Sequence, residues 1–143
     1  MKKIKNIIFD LGGVIINLDM ARTIDAFEAM GIPDFRNTYN QFSQTKLFDS
    51  FDKGTISEID FFTEIKTEFK LNKSLEELKD AWNLMLLDFP KQRLELLMQL
   101  KTNYNTFLLS NTNETHIKAF EETLKNEHSI DSLDSYFNKT YYS

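Results

Sequence analysis

Two short stretches carry residues whose types and spacing could do chemistry. In the first, the β-branched apolar run Ile4 to Phe9 breaks abruptly at Asp10-Leu11-Gly12-Gly13. In open parallel sheets ligands sit at the carboxyl ends of the strands, so a carboxylate in that place faces the functional crevice. Gly12 and Gly13 let the backbone approach a ligand and aim N–H groups at an anion. A carboxylate beside an anion-binding loop is electrostatically awkward unless a cation lies between them. That points to Mg²⁺, which takes one or two carboxylates together with substrate phosphate oxygens. The second stretch is Phe107-Leu108-Leu109-Ser110-Asn111-Thr112-Asn113, another apolar run with a polar end. If the two strands lie side by side, the Ser110 hydroxyl and the Asn111 N–H come near Asp10, where a hydroxyl can donate to a phosphoryl oxygen without competing for the metal. Each stretch also has a plainer reading. Asp10 could cap the following turn, and Ser110-Asn111 could cap the next helix. Alone, the plainer reading of Ser110 is the stronger; paired with the Asp10 loop, the order reverses.

The elements that must hold these residues follow from periodicity and capping. Ile4 to Phe9 reads as a central parallel strand, and Val14-Ile15-Ile16 as a second short extended piece. From Asp19 to about Phe89 the pattern is helical. Asp19 caps a helix over Met20 to Met30 with Ile24, Phe27 and Met30 on one face, ended by Gly31. Ser57 with Asp60 starts a helix carrying Ile59, Phe62, Ile65 and Phe69, and Ser74 with Glu77 one carrying Leu78, Trp82 and Met85. Pro90 opens a further helix with Leu94, Leu97 and Met98 on its buried face. Then come a strand over Tyr104 to Leu109, a helix over Glu114 to Lys125 and a short β-like run at Phe137 to Tyr142. Strand, helical block, helix, strand, helix, strand is an α/β core with a helical insertion.

Composition narrows the function classes. A chain of 143 residues with 41% hydrophobic and 27% charged residues suits a globular domain. The net charge of −5 argues against a nucleic-acid partner, which needs clustered Lys and Arg. No cysteine is present, which excludes disulfides, thiolate zinc sites and Cys nucleophiles. Lys2, Lys3 and Lys5 precede an apolar run, but Asp10 interrupts it at once and no stretch reaches membrane-spanning length. The expectation is a cytoplasmic protein without a membrane partner. Residues 49 to 60 imitate a calcium loop, with Gly54 sixth and an acid twelfth, but Phe51 and Lys53 occupy ligand positions and the lysine would oppose the ion. His116 and His128 are too few and too far apart for zinc. Phe27, Phe62, Phe69 and Trp82 fall at helical spacing and read as packing within the insertion.

Ile8-Phe9-Asp10-Leu11-Gly12-Gly13-Val14 resembles the first motif of the haloacid-dehalogenase-like (HAD) hydrolase superfamily, and Leu108-Leu109-Ser110-Asn111-Thr112-Asn113 resembles its second. The flavour is that of bacterial sugar-phosphate phosphatases, and the likeness covers nearly the whole chain. It implies a Rossmann-like core, residues 1–16 and 89–143, with an α-helical cap inserted over 17–88. It implies that Asp10 attacks phosphorus and forms an aspartyl-phosphate, that Asp10 and the Gly12 carbonyl hold Mg²⁺, and that Gly12, Gly13, Ser110 and Asn111 bind the phosphoryl group of a small phosphorylated substrate.

Two departures qualify the likeness. Phosphatases of the superfamily usually carry a second aspartate two residues after the nucleophile as acid and base, a role typically worth about 10²–10⁴-fold; here that position is Gly12. The sugar-phosphate branch shares the glycine, so phosphatase stays the first reading, with a carbon–halogen dehalogenase and a non-catalytic binding domain as rivals. The family also continues past the third strand with a lysine and acidic metal ligands. Lys118, Lys125, Lys139, Asp131 and Asp134 lack that context, so the expectation is a core incomplete at its C-terminus. Such a chain would be inactive by itself and prone to self-association through the sheet edge at Ile7 to Phe9.

Overall fold

The computed structural model describes residues 3–42 and 45–143, so Lys2 of the basic N-terminal run lies outside the described residues. The chain divides into two compact units, one of residues 1–18, 86–112 and 117–143, the other of 19–85 and 113–116. Among the described residues no helix is long and apolar enough to cross a membrane.

The first unit is built on a three-stranded parallel sheet in the order β1 (Asn6–Phe9), β2 (Asn105–Ser110), β3 (Lys139–Tyr142). The register pairs Ile7 with Thr106 and Phe9 with Leu108, then Leu108 with Thr140 and Ser110 with Tyr142. Paired residues share a face, and the face of Leu108 meets α6 (Lys91–Lys101), α7 (Glu114–His128) and a 3₁₀ turn at Leu133–Tyr136 in a core that includes Leu94, Leu97, Phe120, Leu124 and Leu133. The opposite face exposes Ile8, Leu109 and Tyr141 (66%, 54% and 44%), and β1 ends the strand order. Pro90 is the N-cap of α6 rather than its first helical residue. Met98, expected on the buried face of that helix, is half exposed, because Leu94 and Leu97 already fill the sheet-facing stripe. The segments 17–18 and 86–88 pair with each other: the Asn17 N–H donates to the Asp88 carbonyl (3.0 Å), the Leu87 N–H to the Asn17 carbonyl (3.0 Å), and Asn17 Nδ2 to Asp88 Oδ1 (2.9 Å).

The second unit holds α1 (Met20–Ala29), α2 (Phe35–Phe42), α3 (Lys46–Asp52), α4 (Glu58–Glu68) and α5 (Leu75–Asn83). Their starts follow the sequence signals. Asp19 accepts from the Ala21 N–H, Ser57 from the Asp60 N–H, and Ser74 with Glu77 forms a complete capping box. The calcium-like stretch proves to be the end of α3 and a turn, with Lys53 paired to Asp49 at 2.7 Å. Ile59, expected on the packed face of α4, is exposed, and Phe61 takes the inward place beside Phe62 and Ile65. The core is aromatic. Phe51 stacks on Phe61 (3.9 Å between centroids, 8° between planes), Phe27 on Phe35 (4.5 Å, 16°), and Phe48 meets Phe61 edge-on (5.1 Å, 87°). Trp82, only 2% exposed, touches Phe27, Tyr39, Phe48, Phe61 and Phe62 with centroid separations of 5.4 to 6.5 Å. Buried Thr23 joins α1 to the end of α5, where carbonyls lack helical partners. Its hydroxyl donates to the Ala81 and Trp82 carbonyls (2.9 and 3.2 Å) and accepts from the Met85 N–H (3.0 Å).

The indole of Trp82 is surrounded by five aromatic rings of this core. Trp82→Ala is expected to cost about 3–5 kcal/mol of stability, read from urea unfolding followed by circular dichroism; a cost below about 1 kcal/mol would show that the aromatic core closes over the gap.

Candidate functional site

β1 delivers Asp10 and β2 ends on Ser110. Because the strands are parallel with Phe9 opposite Leu108, both residues lie at the carboxyl ends of neighbouring strands, spaced about 4.8 Å apart as in any sheet. The backbone after Asp10 turns sharply, and Val14 to Ile16 is not the extended piece that its β-branched residues predict. The Val14, Ile15 and Ile16 N–H groups all converge on the Leu11 carbonyl (3.2, 2.9 and 3.2 Å), and Leu11, Ile15 and Ile16 are buried in the core. Burial of these apolar side chains overrides strand propensity here. Gly13 sits at φ +71°, in the left-handed region that side chains other than glycine resist.

This turn decides which groups are free. The Gly13 N–H donates to the Ile16 carbonyl at 2.9 Å, within the turn that its positive φ allows. The Gly12 amide and carbonyl have no hydrogen-bond partner among the described residues. Gly12 is tightly approached as well, since a Cβ there would lie 2.8 Å from Leu18 Cδ1. Asp10 Oδ1 accepts from the Leu11 N–H at 2.7 Å, which orients the carboxylate, and Oδ2 has no partner among the described residues. The turn is closed by the Leu11 carbonyl, so the carboxylate is not needed to cap it.

Ser110 shows the same separation of structure from chemistry. The N-cap of α7 is supplied by Asn113, whose Oδ1 accepts from the His116 N–H at 3.0 Å. Ser110 and Asn111 are therefore not the residues that cap α7. The Ser110 side chain is 4% exposed, and its hydroxyl makes no hydrogen bond among the described residues. Its carbonyl accepts from the Ser143 N–H (3.0 Å), and the Ser143 hydroxyl donates to Asn111 Oδ1 (3.1 Å), steadying that side chain.

The metal donors on offer are oxygens: Asp10 Oδ2 and the Gly12 carbonyl. Among the described residues no three His, Cys, Asp or Glu converge. One carboxylate and one carbonyl suit Mg²⁺, which keeps waters and takes phosphate oxygens, and do not suit zinc. A concavity of about 990 Å³ lined by Lys3, Lys5, Lys101, Asn103 and Tyr104 opens at the opposite ends of β1 and β2. It lies away from the strand ends where open α/β sheets bind ligands.

Sequence reasoning treated His116 only as a metal candidate. It is 9% exposed and stacks on Trp82 (5.5 Å, 19°), with Nε2 3.4 Å from the Trp82 carbonyl and Nδ1 3.5 Å from Asn113 Nδ2. The Thr115 hydroxyl beside it donates to Glu58 Oε2 at 2.5 Å. The only signal for this cluster in the sequence is the spacing of Asn113 and His116, the N-cap and N3 of a helix.

No family model matches the chain. A curated D-ribitol-5-phosphate phosphatase of Bacteroides thetaiotaomicron is 32% identical over 110 residues, 77% of this chain. The chain spans about half the length of that relative, 53%. The structure of a HAD family enzyme from the same organism, in complex with magnesium and inorganic phosphate, is 36% identical with a TM-score of 0.83, across 99% of this chain and 69% of the other. A Porphyromonas gingivalis protein described as a predicted HAD-like family hydrolase is 31% identical with a TM-score of 0.81, across 98% and 66%.

Two stability effects follow from these surroundings. Gly13→Ala places a side chain at φ +71° and is expected to cost about 1–2 kcal/mol, measured by chemical denaturation; a neutral effect would mean that the turn relaxes. Burial pushes the His116 imidazole down to about 4, against the opposing hydrogen bond to the Trp82 carbonyl. The native state therefore keeps His116 neutral while the unfolded chain protonates it near its ordinary value. The stabilisation is complete above about pH 6.5, and is lost as pH falls from there toward 4, by up to about 3 kcal/mol. Urea titrations at pH 7 and 4.5 should show this loss in the wild type and a smaller one in His116→Phe.

Proposed function

The chain belongs to the HAD-like hydrolase family, and from that premise we propose that it forms the nucleophile and phosphate-binding part of an Mg²⁺-dependent phosphatase acting on small phosphate monoesters of the polyol or sugar class. The observation that carries this reading is the release of Ser110 and Asn111 from helix capping by Asn113. Their hydroxyl and amide are left at the same sheet end as the unpaired oxygen of Asp10.

In the proposed reaction an Asp10 oxygen attacks phosphorus in line, the bond from phosphorus to the ester oxygen breaks, and that oxygen leaves with a proton. Water then cleaves the aspartyl-phosphate, releasing inorganic phosphate and regenerating the carboxylate. The Ser110 hydroxyl and the Gly12 and Asn111 amides donate to the equatorial oxygens, where charge spreads during transfer. Asp10 and the Gly12 carbonyl would hold Mg²⁺, which neutralises phosphate charge next to the carboxylate. The loop has no second carboxylate at position 12, where Leu18 closes in, so the leaving oxygen takes its proton from the substrate's own hydroxyls or from water. The polyol phosphate named for the curated relative and the magnesium and phosphate bound by the structural relative both support this reading.

In the full-length protein, Asp10→Asn is expected to lower kcat/KM for a phosphate monoester by at least about 10³-fold with the fold intact. Chelation of Mg²⁺ should abolish turnover of the wild type. Retention of more than about a tenth of kcat/KM, a loss under about 1.4 kcal/mol, would remove Asp10 as nucleophile. Metal-indifferent release of halide would favour the dehalogenase reading, and no turnover of either kind would favour a binding domain.

A further inference from the structure

The end of β3 reaches across to the polar end of β2, and both lie within the sheet unit. The ladder that pairs Ser110 with Tyr142 continues one residue further, where the Ser143 N–H donates to the Ser110 carbonyl at 3.0 Å. Backbone pairing therefore places Ser143 relative to Ser110 before its side chain makes any contact. The strand that carries it is held as well: Tyr142 packs on Phe120 with 6.1 Å between centroids, and the Thr140 hydroxyl donates to Asp134 Oδ1. The Ser143 hydroxyl has one proton and two acceptors in reach, Asn111 Oδ1 at 3.1 Å and the Ser110 carbonyl at 3.3 Å. That carbonyl already takes the Ser143 amide, so the shorter contact, to Asn111, is the one that leaves both oxygens served. With Oδ1 engaged, the part of the exposed Asn111 side chain without a partner among the described residues is Nδ2, which carries two N–H donors.

We propose that Ser143 is a positioning residue for the phosphatase reaction, holding the Asn111 side chain so that its Nδ2 donates to a phosphate oxygen. The inference rests on the phosphatase reading above and adds a side-chain donor to the backbone amide of Asn111. A side-chain amide is two-sided: one orientation offers N–H groups to a ligand, and the opposite one offers a carbonyl oxygen. A phosphate is drawn to the first and repelled by the second. An asparagine with no partner on an exposed loop samples both and must be ordered when the ligand arrives. The hydroxyl bond from Ser143 holds Oδ1 and leaves the N–H groups for the anion in advance. Ser143 touches no reacting atom and acts across the ladder between β2 and β3. Each strand end then has its part: β1 supplies the Asp10 carboxylate, β2 the Ser110 hydroxyl and Asn111, and β3 the residue that sets Asn111.

The test uses the full-length protein with Mg²⁺ and an aryl phosphate, and compares Ser143→Thr with Ser143→Val, two changes of equal shape that differ by the hydroxyl. Neither removes the Ser143 N–H that closes the ladder. Donors to the equatorial oxygens act most strongly as charge spreads there, so the loss should fall on kcat. Ser143→Val is expected to lower kcat by about 3–10-fold, the size of one neutral hydrogen bond, while KM changes by less than about 2-fold. Ser143→Thr should stay within about 2-fold of the wild type. When Asn111 is already alanine, the two variants should turn over equally, because the group that the hydroxyl positions is gone. If circular dichroism shows that a β-branched residue disturbs the fold, Ser143→Ala against the wild-type serine replaces the pair in the same cycle. Equal kcat with and without the hydroxyl, or a difference that persists beside Asn111→Ala, would overturn the positioning role and leave the phosphatase reading standing. A wild type that does not turn over aryl phosphate with Mg²⁺ would overturn both.

Discussion

The parallel pairing of β1 with β2 is the constraint on which the candidate chemistry depends. With Phe9 opposite Leu108, Asp10 and Ser110 leave the sheet at the same end. A slip of β2 by one residue would turn Leu108 and Ser110 to the wrong face together. The slip is resisted by apolar burial on one side of the sheet. Leu108 is fully buried, and withdrawing such a side chain from its core would cost about 1.5–3 kcal/mol. Polar contacts fix the opposite ends of the strands as well, where the Thr106 N–H donates to Asn138 Oδ1 at 2.8 Å and Asn105 Nδ2 to Asn6 Oδ1 at 2.9 Å. The register is over-determined, and that gives a carboxylate and a hydroxyl from residues a hundred positions apart a common place without touching each other's backbone.

Within that frame, local hydrogen bonding decides which polar groups remain available for a ligand. Around Asp10 the Leu11 carbonyl collects three amides, so the turn needs nothing from the carboxylate. At the end of β2, Asn113 caps α7, so the helix needs nothing from Ser110. In both places one residue satisfies the backbone and its neighbour is left with unspent hydrogen-bonding capacity at a sheet end.

The sequence made much of this legible, and its limits have physical reasons. β1, β2, the caps at Asp19, Ser57 and Ser74, and the aromatic stripe through Phe27, Phe62 and Trp82 were readable because each depends on neighbours within a few residues. The separate helices α2 and α3 were not resolved, since Phe35 to Asp52 mixes aromatic and polar residues without a clear apolar stripe. Val14 to Ile16 misled because three β-branched residues in a row have strand propensity, while burial of Ile15 and Ile16 with Leu11 accompanies a turn. Ile59 and Met98 misled because periodicity marks a stripe but not its edges, and Phe61 and Leu94 with Leu97 had already filled the inward positions. The engagement of the Gly13 amide depended on that same turn, which the positive φ of Gly13 allows.

Gly12 shows how a single position can join packing to chemistry. Its missing side chain leaves room for Leu18 Cδ1, which would stand 2.8 Å from a Cβ. Leu18 in turn pairs with Leu86 where the segments 17–18 and 86–88 run together, so the space is claimed by the connections that lead into and out of residues 19–85. An acid introduced at position 12 would therefore need Leu18 to move before it could supply a proton. The cost is modest, because the clash is with the far end of a flexible and partly exposed side chain, yet it falls on the connection to the helical unit. In the phosphatase reading, proton supply at position 12 and the seating of that connection compete for the same few cubic ångströms, and this chain has resolved the competition in favour of the connection.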